Sequence, residues 1–220
     1  MPTADVSGPA STRRTDIWRW DGQTVAPATD QVVAEEPLQI LVNGEPLTVV
    51  MRTPGRDIEL ALGLLHNEGF LRSIDEIVSV AVSVDQAAPA GIRTEPLALE
   101  ENVVDLRLAQ PLDLASSGWQ RHLLSASGCG ICGATTLEAL ETNWPPVQPG
   151  KTVSANVLYR LPNVLRDSQA LFEATGGVHA AAIFRLDGQL LWLAEDVGRH
   201  NAVDKLVGRG LLERCLPFAD

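Results

Sequence analysis

Cys129 and Cys132 stand three positions apart in the stretch SGCGICG, with glycines on both sides and between them. A thiol acts as nucleophile or metal ligand only as the thiolate, and a free cysteine with a pKa of about 8.5 is only a few per cent ionised at neutral pH. Downstream, Thr135 and Glu138 have the spacing of a capping box, so a helix is expected to open just after the dithiol, over about 135–143. The unpaired N–H groups and positive dipole end of such a helix favour the thiolate. Gly128 and Gly133 give the backbone conformations closed to other residues and let a ligand or partner come close to the main chain. This pattern favours a reactive dithiol. Its rival is one half of a structural zinc site, which needs two more ligands. Only Cys215 and four scattered histidines remain, with no second CxxC.

A second polar concentration is AEDVGRHNAVDKLVG, residues 194–208. Glu195 and Asp196 end an apolar stretch, Gly198 turns the chain, and Arg199, His200 and Asn201 open a helical pattern. His200 and Asp204 fall on one helical face, as do Asn201 and Lys205. Charged groups crowd a strand-to-helix crossing, which is where open α/β sheets take ligands. A capped helix with solvated charges explains the same pattern, and the two readings stand side by side. In EATGGVHAAAIF, Gly176 and Gly177 precede an apolar strand with His179 near its start. A lone histidine there is commonly a satisfied core group, but the glycine pair brings backbone close to whatever lies at the strand's end. Arg52 and Arg56 flank a Pro-Gly turn and suit either an anion or surface ion pairs. Cys215, in LLERCLPF, reads as a buried structural thiol.

The elements that must position these groups follow from patterning. The 220 residues are 45% hydrophobic and 20% charged, enough for a sizeable core. A net charge of −11 argues against a nucleic-acid partner, because phosphate binding draws on a basic surface. No apolar run is long enough to span a membrane, and Arg13-Arg14 is not followed by the apolar stretch of a secretory or twin-arginine leader. Three cysteines, an odd count, fit a reducing cytoplasm better than a secreted disulfide framework.

Residues 1–34 carry no apolar periodicity and are expected to be a loose N-terminal segment, with IWRW (17–20) able to pack as a short strand. Two apolar runs around Asn43-Gly44 predict a hairpin over 37–52. Thr53 as cap, Pro54 in the first turn and Gly69 as stop predict a helix within 53–71. Strands are expected at 74–84 and 102–108, completing a small α+β unit over 35–112. The second unit, 113–220, holds the CxxC helix, a Pro-rich linker (145–149), a long helical pattern (154–174), strands at 178–184 and 190–194 around Asp187-Gly188, and a last helix from about Arg199. The fold class is therefore α/β in its α+β form: a small hairpin–helix–strand unit followed by a layered domain.

Taken together, EEPLQILVNGEPLTVVMRTPGRDIELALGLLHNEGFL (35–71), SGCGICG (127–133), TGGVHAAAIF (175–184) and EDVGRHNAVDKLVG (195–208) resemble the formate dehydrogenase accessory sulfurtransferases, the FdhD family. The resemblance implies a sulfur carrier. Members accept sulfane sulfur from a cysteine desulfurase as a persulfide on the CxxC. They pass it to a molybdenum or tungsten bis-guanine-dinucleotide cofactor, bound as substrate, before the cofactor enters the formate dehydrogenase catalytic subunit. Cys129 is then the expected persulfide carrier and Cys132 its helper, or the reverse. The residues expected to bind the cofactor are Gly176, Gly177, His179, Glu195, Asp196, Arg199, His200 and Asn201. The resemblance also implies a cytidine-deaminase-like second domain, a homodimer, no nucleic-acid or membrane partner, and no structural metal. The deaminase zinc signature is absent, since Ala180 and Ala181 follow His179 and no proline precedes the CxxC. Members continue several tens of residues beyond the position matching Pro217, so this chain is expected to be C-terminally short of the family pattern. Two rivals remain: a cofactor chaperone that moves no sulfur, and a zinc-dependent deaminase-like hydrolase, which the ligand count disfavours.

Overall fold

Asn43 and Gly44 supply the left-handed pair that a tight two-residue hairpin turn requires, and the chain uses them so. The structure is a computed structural model that describes residues 11–82, 92–97, 102–112 and 150–218. Strands β3 (Glu36–Val42) and β4 (Glu45–Arg52) pair antiparallel around φ angles of 53° at Asn43 and 86° at Gly44. The Asn43 side chain also ties the turn to the sheet, its Oδ1 accepting the Leu108 N–H at 2.8 Å. With β5 (Ile77–Val82), β6 (Thr94–Pro96) and β7 (Val103–Leu108), these strands form a mixed sheet in the order β4-β3-β7-β5-β6. Strand β7 runs parallel to β3 and antiparallel to β5.

Helix α1 (Asp57–Asn67) covers this sheet. Ile58, Leu60, Ala61, Leu62 and Leu65 pack into one core with Leu38, Ile40, Val80, Val104 and Leu106. Thr53 is not its cap, as the sequence had suggested. The capping position is Arg56, held left-handed at φ 58° after the Pro54-Gly55 turn, while Asp57 and Glu59 place negative charge at the positive end of the helix. Gly69, at φ 80°, ends the turn beyond the helix as expected.

The second half holds α2 (Ala155–Ser168), α3 (Ala170–Thr175), β8 (His179–Phe184), β9 (Leu190–Asp196) and α4 (Arg199–Leu212). The helical pattern at 154–174 is two helices, because Gln169 (φ −83°, ψ 83°) leaves helical geometry between them. Strands β8 and β9 form an antiparallel pair, and α4 packs on both of them and on α1. The α1–α4 crossing is backbone against backbone. A Cβ built on Gly63 would lie 1.9 Å from the Asp204 carbonyl oxygen, and one on Gly208 would lie 1.8 Å from that of Glu59. Only glycine fits at either point.

The α+β class is as read from the sequence. The N-terminal segment expected to be loose is different: β1 (Thr12–Trp20) and β2 (Val25–Val33) pair along their length. The Asp21 carboxylate organises their turn by accepting the N–H groups of Gln23 and Thr24, both at 2.8 Å. The ribbon is exposed over most of both faces, with Trp18 74% and Trp20 61% exposed. It therefore carries none of the apolar alternation that betrays a half-buried strand. The CxxC, the helix expected after it and the Pro-rich linker lie outside the described residues.

Candidate functional site

The register of the β8–β9 pair decides what can meet. His179 lies opposite Asp196, so the start of β8 and the end of β9 share one end of the ribbon. Helix α3 ends there, with Gly176 taking the left-handed C-cap position at φ 70°, and α4 begins there at Arg199. Gly176, Gly177, His179, Glu195, Asp196, Arg199, His200 and Asn201, scattered over 26 positions in the sequence, thus gather at one end of the sheet.

Within that group the side chains divide by burial. Glu195 and Asp196 are buried and held by donors of the chain itself. The Glu195 carboxylate accepts the Leu171 N–H at 2.9 Å and the Phe172 N–H at 2.8 Å, capping α3 from a neighbouring strand. Asp196 is a four-way acceptor. Its Oδ1 receives the Gly198 N–H (2.8 Å) and the Asn201 amide (2.9 Å), and its Oδ2 receives the Thr53 N–H (3.2 Å) and the Lys205 ammonium (2.7 Å). Asn201 uses the same amide nitrogen to reach the Met51 carbonyl at 2.7 Å. These three residues frame the site from behind. His179, Arg199, His200, Gly176 and Gly177 are exposed, and no hydrogen bond or ion pair engages His179, Arg199 or His200 among the described residues. Two imidazoles, a guanidinium and open backbone at a strand-to-helix crossing can offer donors to an anionic or polar ligand.

The remaining charges of 194–208 are interior rather than solvated. Lys205 is 2% exposed and bonds the Thr53 carbonyl at 3.0 Å besides Asp196. Asp204 lies at the α1–α4 crossing, accepts the Asn67 amide at 2.6 Å, and is pushed up to about 7, chiefly by burial, with Glu68 and Asp196 adding like charge. Arg52 and Arg56 are likewise consumed by the fold. The Arg52 guanidinium grips Asp57 through two bonds, at 3.0 and 2.8 Å, with both side chains buried. Arg56 pairs with Glu59 and donates to the Leu193 carbonyl at 2.9 Å. Cys215, expected to be buried, is half-buried, with its Sγ 3.6 Å from the Gly210 carbonyl, and burial pushes its thiol up.

Among the described residues no group of three or more His, Cys, Asp or Glu converges as metal ligands, and no helix is long and apolar enough to cross a membrane. A shallow concavity of about 350 Å³ lies elsewhere, at the α2–α3 junction between Arg166 and Glu173, and holds none of the candidate residues. The expected dithiol, Cys129 and Cys132, lies outside the described residues. Sequence reasoning missed the part played by Thr53. The only signal available was a threonine closing an apolar strand before Pro-Gly, which reads equally well as a helix cap.

The FdhD/NarQ family model matches residues 33–217. A protein named sulfur carrier protein FdhD from Streptomyces avermitilis is 42% identical over 215 residues, covering 94% of this chain and 72% of its own length. One of the same name from the archaeon Sulfurisphaera tokodaii is 38% identical over 211 residues, covering 94% of this chain and 73% of its own. The crystal structure of a protein assigned as a formate dehydrogenase accessory protein, from Desulfotalea psychrophila, superposes with a TM-score of 0.60 over 92% of this chain and 69% of that one. At 19% identity that likeness speaks for the fold alone. The sequence match spans the hairpin, helix α1, the CxxC and the β9–α4 crossing, and on that extent the chain belongs to the FdhD/NarQ family.

Proposed function

We propose that the chain is a sulfur carrier serving formate dehydrogenase: it takes sulfane sulfur from a cysteine desulfurase onto Cys129–Cys132 and delivers it to a molybdenum or tungsten bis-guanine-dinucleotide cofactor. The observation that carries this reading is the family match over 33–217, which includes the CGIC dithiol, to proteins named sulfur carrier. The thiolate of Cys129 attacks the terminal sulfur of the desulfurase persulfide. The sulfur–sulfur bond of the donor breaks, the donor leaves as thiolate, and a persulfide remains on Cys129 with no net oxidation. The Cys132 thiolate then attacks the inner sulfur and expels hydrosulfide toward the acceptor. The resulting Cys129–Cys132 disulfide is reset by a reducing dithiol.

The acceptor cofactor is cargo, and its guanine dinucleotides carry pyrophosphate. Arg199, His200 and His179, exposed and unengaged among the described residues, suit an anion of that kind, and the backbone at Gly176-Gly177 leaves room for close approach. Glu195, Asp196 and Asn201 contribute by holding β9, α3 and α4 in place. On this reading the protein acts in the cytoplasm, as a homodimer. The test supplies a cysteine desulfurase and radioactive cysteine to the wild-type chain, Cys129→Ala and Cys132→Ala. Wild type becomes labelled and Cys129→Ala does not; undiminished labelling of both variants sinks the proposal.

A further inference from the structure

Every polar group of Thr53 is committed to a single place. Its N–H donates to Asp196 Oδ2 at 3.2 Å, its Oγ1 accepts the Val197 N–H at 3.0 Å, and its carbonyl accepts the Lys205 ammonium at 3.0 Å. The residue is 2% exposed and contributes nothing to capping α1. Two of these bonds go to the crossing from β9 to α4, at Asp196 and Val197, and the third to Lys205 within α4, all more than 140 positions away in the chain. On one side of Thr53, the Met51 carbonyl takes the Asn201 amide; on the other, Arg56 donates to the Leu193 carbonyl. The β4–α1 turn is therefore a template along which the crossing is laid.

A buried polar lattice of this kind adds little net stability over well-packed apolar groups, because each charge and hydroxyl must first be desolvated. What it specifies is register: among the described residues the Val197 N–H has one acceptor, Thr53 Oγ1, and one position satisfies it. Val197 lies two residues before Arg199 and three before His200, which open α4 as exposed side chains unengaged among the described residues.

We propose that Thr53 is a positioning residue whose hydroxyl fixes the β9–α4 crossing, so that the first turn of α4 presents Arg199 and His200 in one orientation to the cofactor. This rests on the functional reading above, in which those two side chains meet the cofactor. Thr53→Val keeps the size, the N–H and the carbonyl, so the Asp196 and Lys205 bonds persist and only the Val197 acceptor is removed. Thr53→Ser restores it.

The test uses the full chain and follows three quantities: sulfur uptake from a cysteine desulfurase, activation of immature formate dehydrogenase, and the His200 imidazole resonances with those of His66 as internal control. Thr53→Val is expected to take up sulfur within about twofold of wild type but to activate the enzyme on the order of tenfold less well, the size of loss that follows from misplaced binding groups. The His200 resonances move in that variant while those of His66 do not, and Thr53→Ser returns both activation and spectrum to wild type. Wild-type activation by Thr53→Val overturns the inference. So does an equal loss of uptake and activation, which marks a general folding defect, or a serine variant as impaired as the valine one. A wild-type chain that takes up no sulfur overturns the functional reading itself, and the inference with it.

Discussion

Asp204 carries a carboxylate into the α1–α4 crossing with one amide donor, from Asn67, to receive it. Burial is the main cause of its rise from 3.8 to about 7, and the like charges of Glu68 and Asp196 add to it. A carboxyl raised in the folded state keeps its proton there while the unfolded chain has lost it. Its contribution to stability is thus complete below about pH 4 and is lost as the pH climbs to about 7, amounting to roughly 4 kcal/mol at most. Chemical denaturation of wild type near pH 5 and near pH 8 should show that decline, and Asp204→Asn should flatten it. A second residue-scale outcome concerns the exposed pair. Arg199→Ala and His200→Ala should leave sulfur uptake unchanged and lower formate dehydrogenase activation by about ten- to a hundredfold each, since a charged hydrogen bond to an anion contributes about 1.5–3 kcal/mol. Normal activation by both would make that turn a purely structural feature.

Between elements, the tightest constraint is the α1–α4 crossing. Gly63→Ala and Gly208→Ala each drive a methyl group into a carbonyl of the facing helix, so the helices must part. Each should cost about 1–3 kcal/mol, more than the ~1 kcal/mol that alanine gains in helix propensity. One separation relieves both clashes, so the double variant should lose less than the sum, measurable as unequal shifts in urea midpoint. Arg52→Met leaves Asp57 buried without its guanidinium partner, and about 3–5 kcal/mol of destabilisation should follow. The hairpin at Asn43-Gly44, α1, β7 to β9 and the start of α4 were legible because each couples a clear apolar period to turn chemistry. The β1–β2 ribbon was not, since nothing buries it. Nor was the helix break at Gln169, where no glycine or proline interrupts the period. The polar crossing at 195–205 was legible as a place, but its division was not: which charges are buried depends on a turn at 51–57 that the local pattern cannot bring near.

Across the whole molecule, the two halves read as separate units from the sequence are joined by the α1–α4 seam and by the bonds from Thr53 and Arg56 to the second half. These contacts fix the β9–α4 crossing to the first half of the chain. His179, Arg199 and His200 stand exposed at the shared end of β8, β9 and α4, although the chain as a whole carries −11. The central claim is that Cys129 and Cys132 carry sulfane sulfur, and mass spectrometry of the intact chain tests it most directly. After incubation with a cysteine desulfurase and cysteine, wild type should gain one sulfur atom that a reducing dithiol removes, and Cys129→Ala with Cys132→Ala in one chain should gain none. An unmodified wild-type chain, or a double variant that gains the same sulfur, would contradict the account.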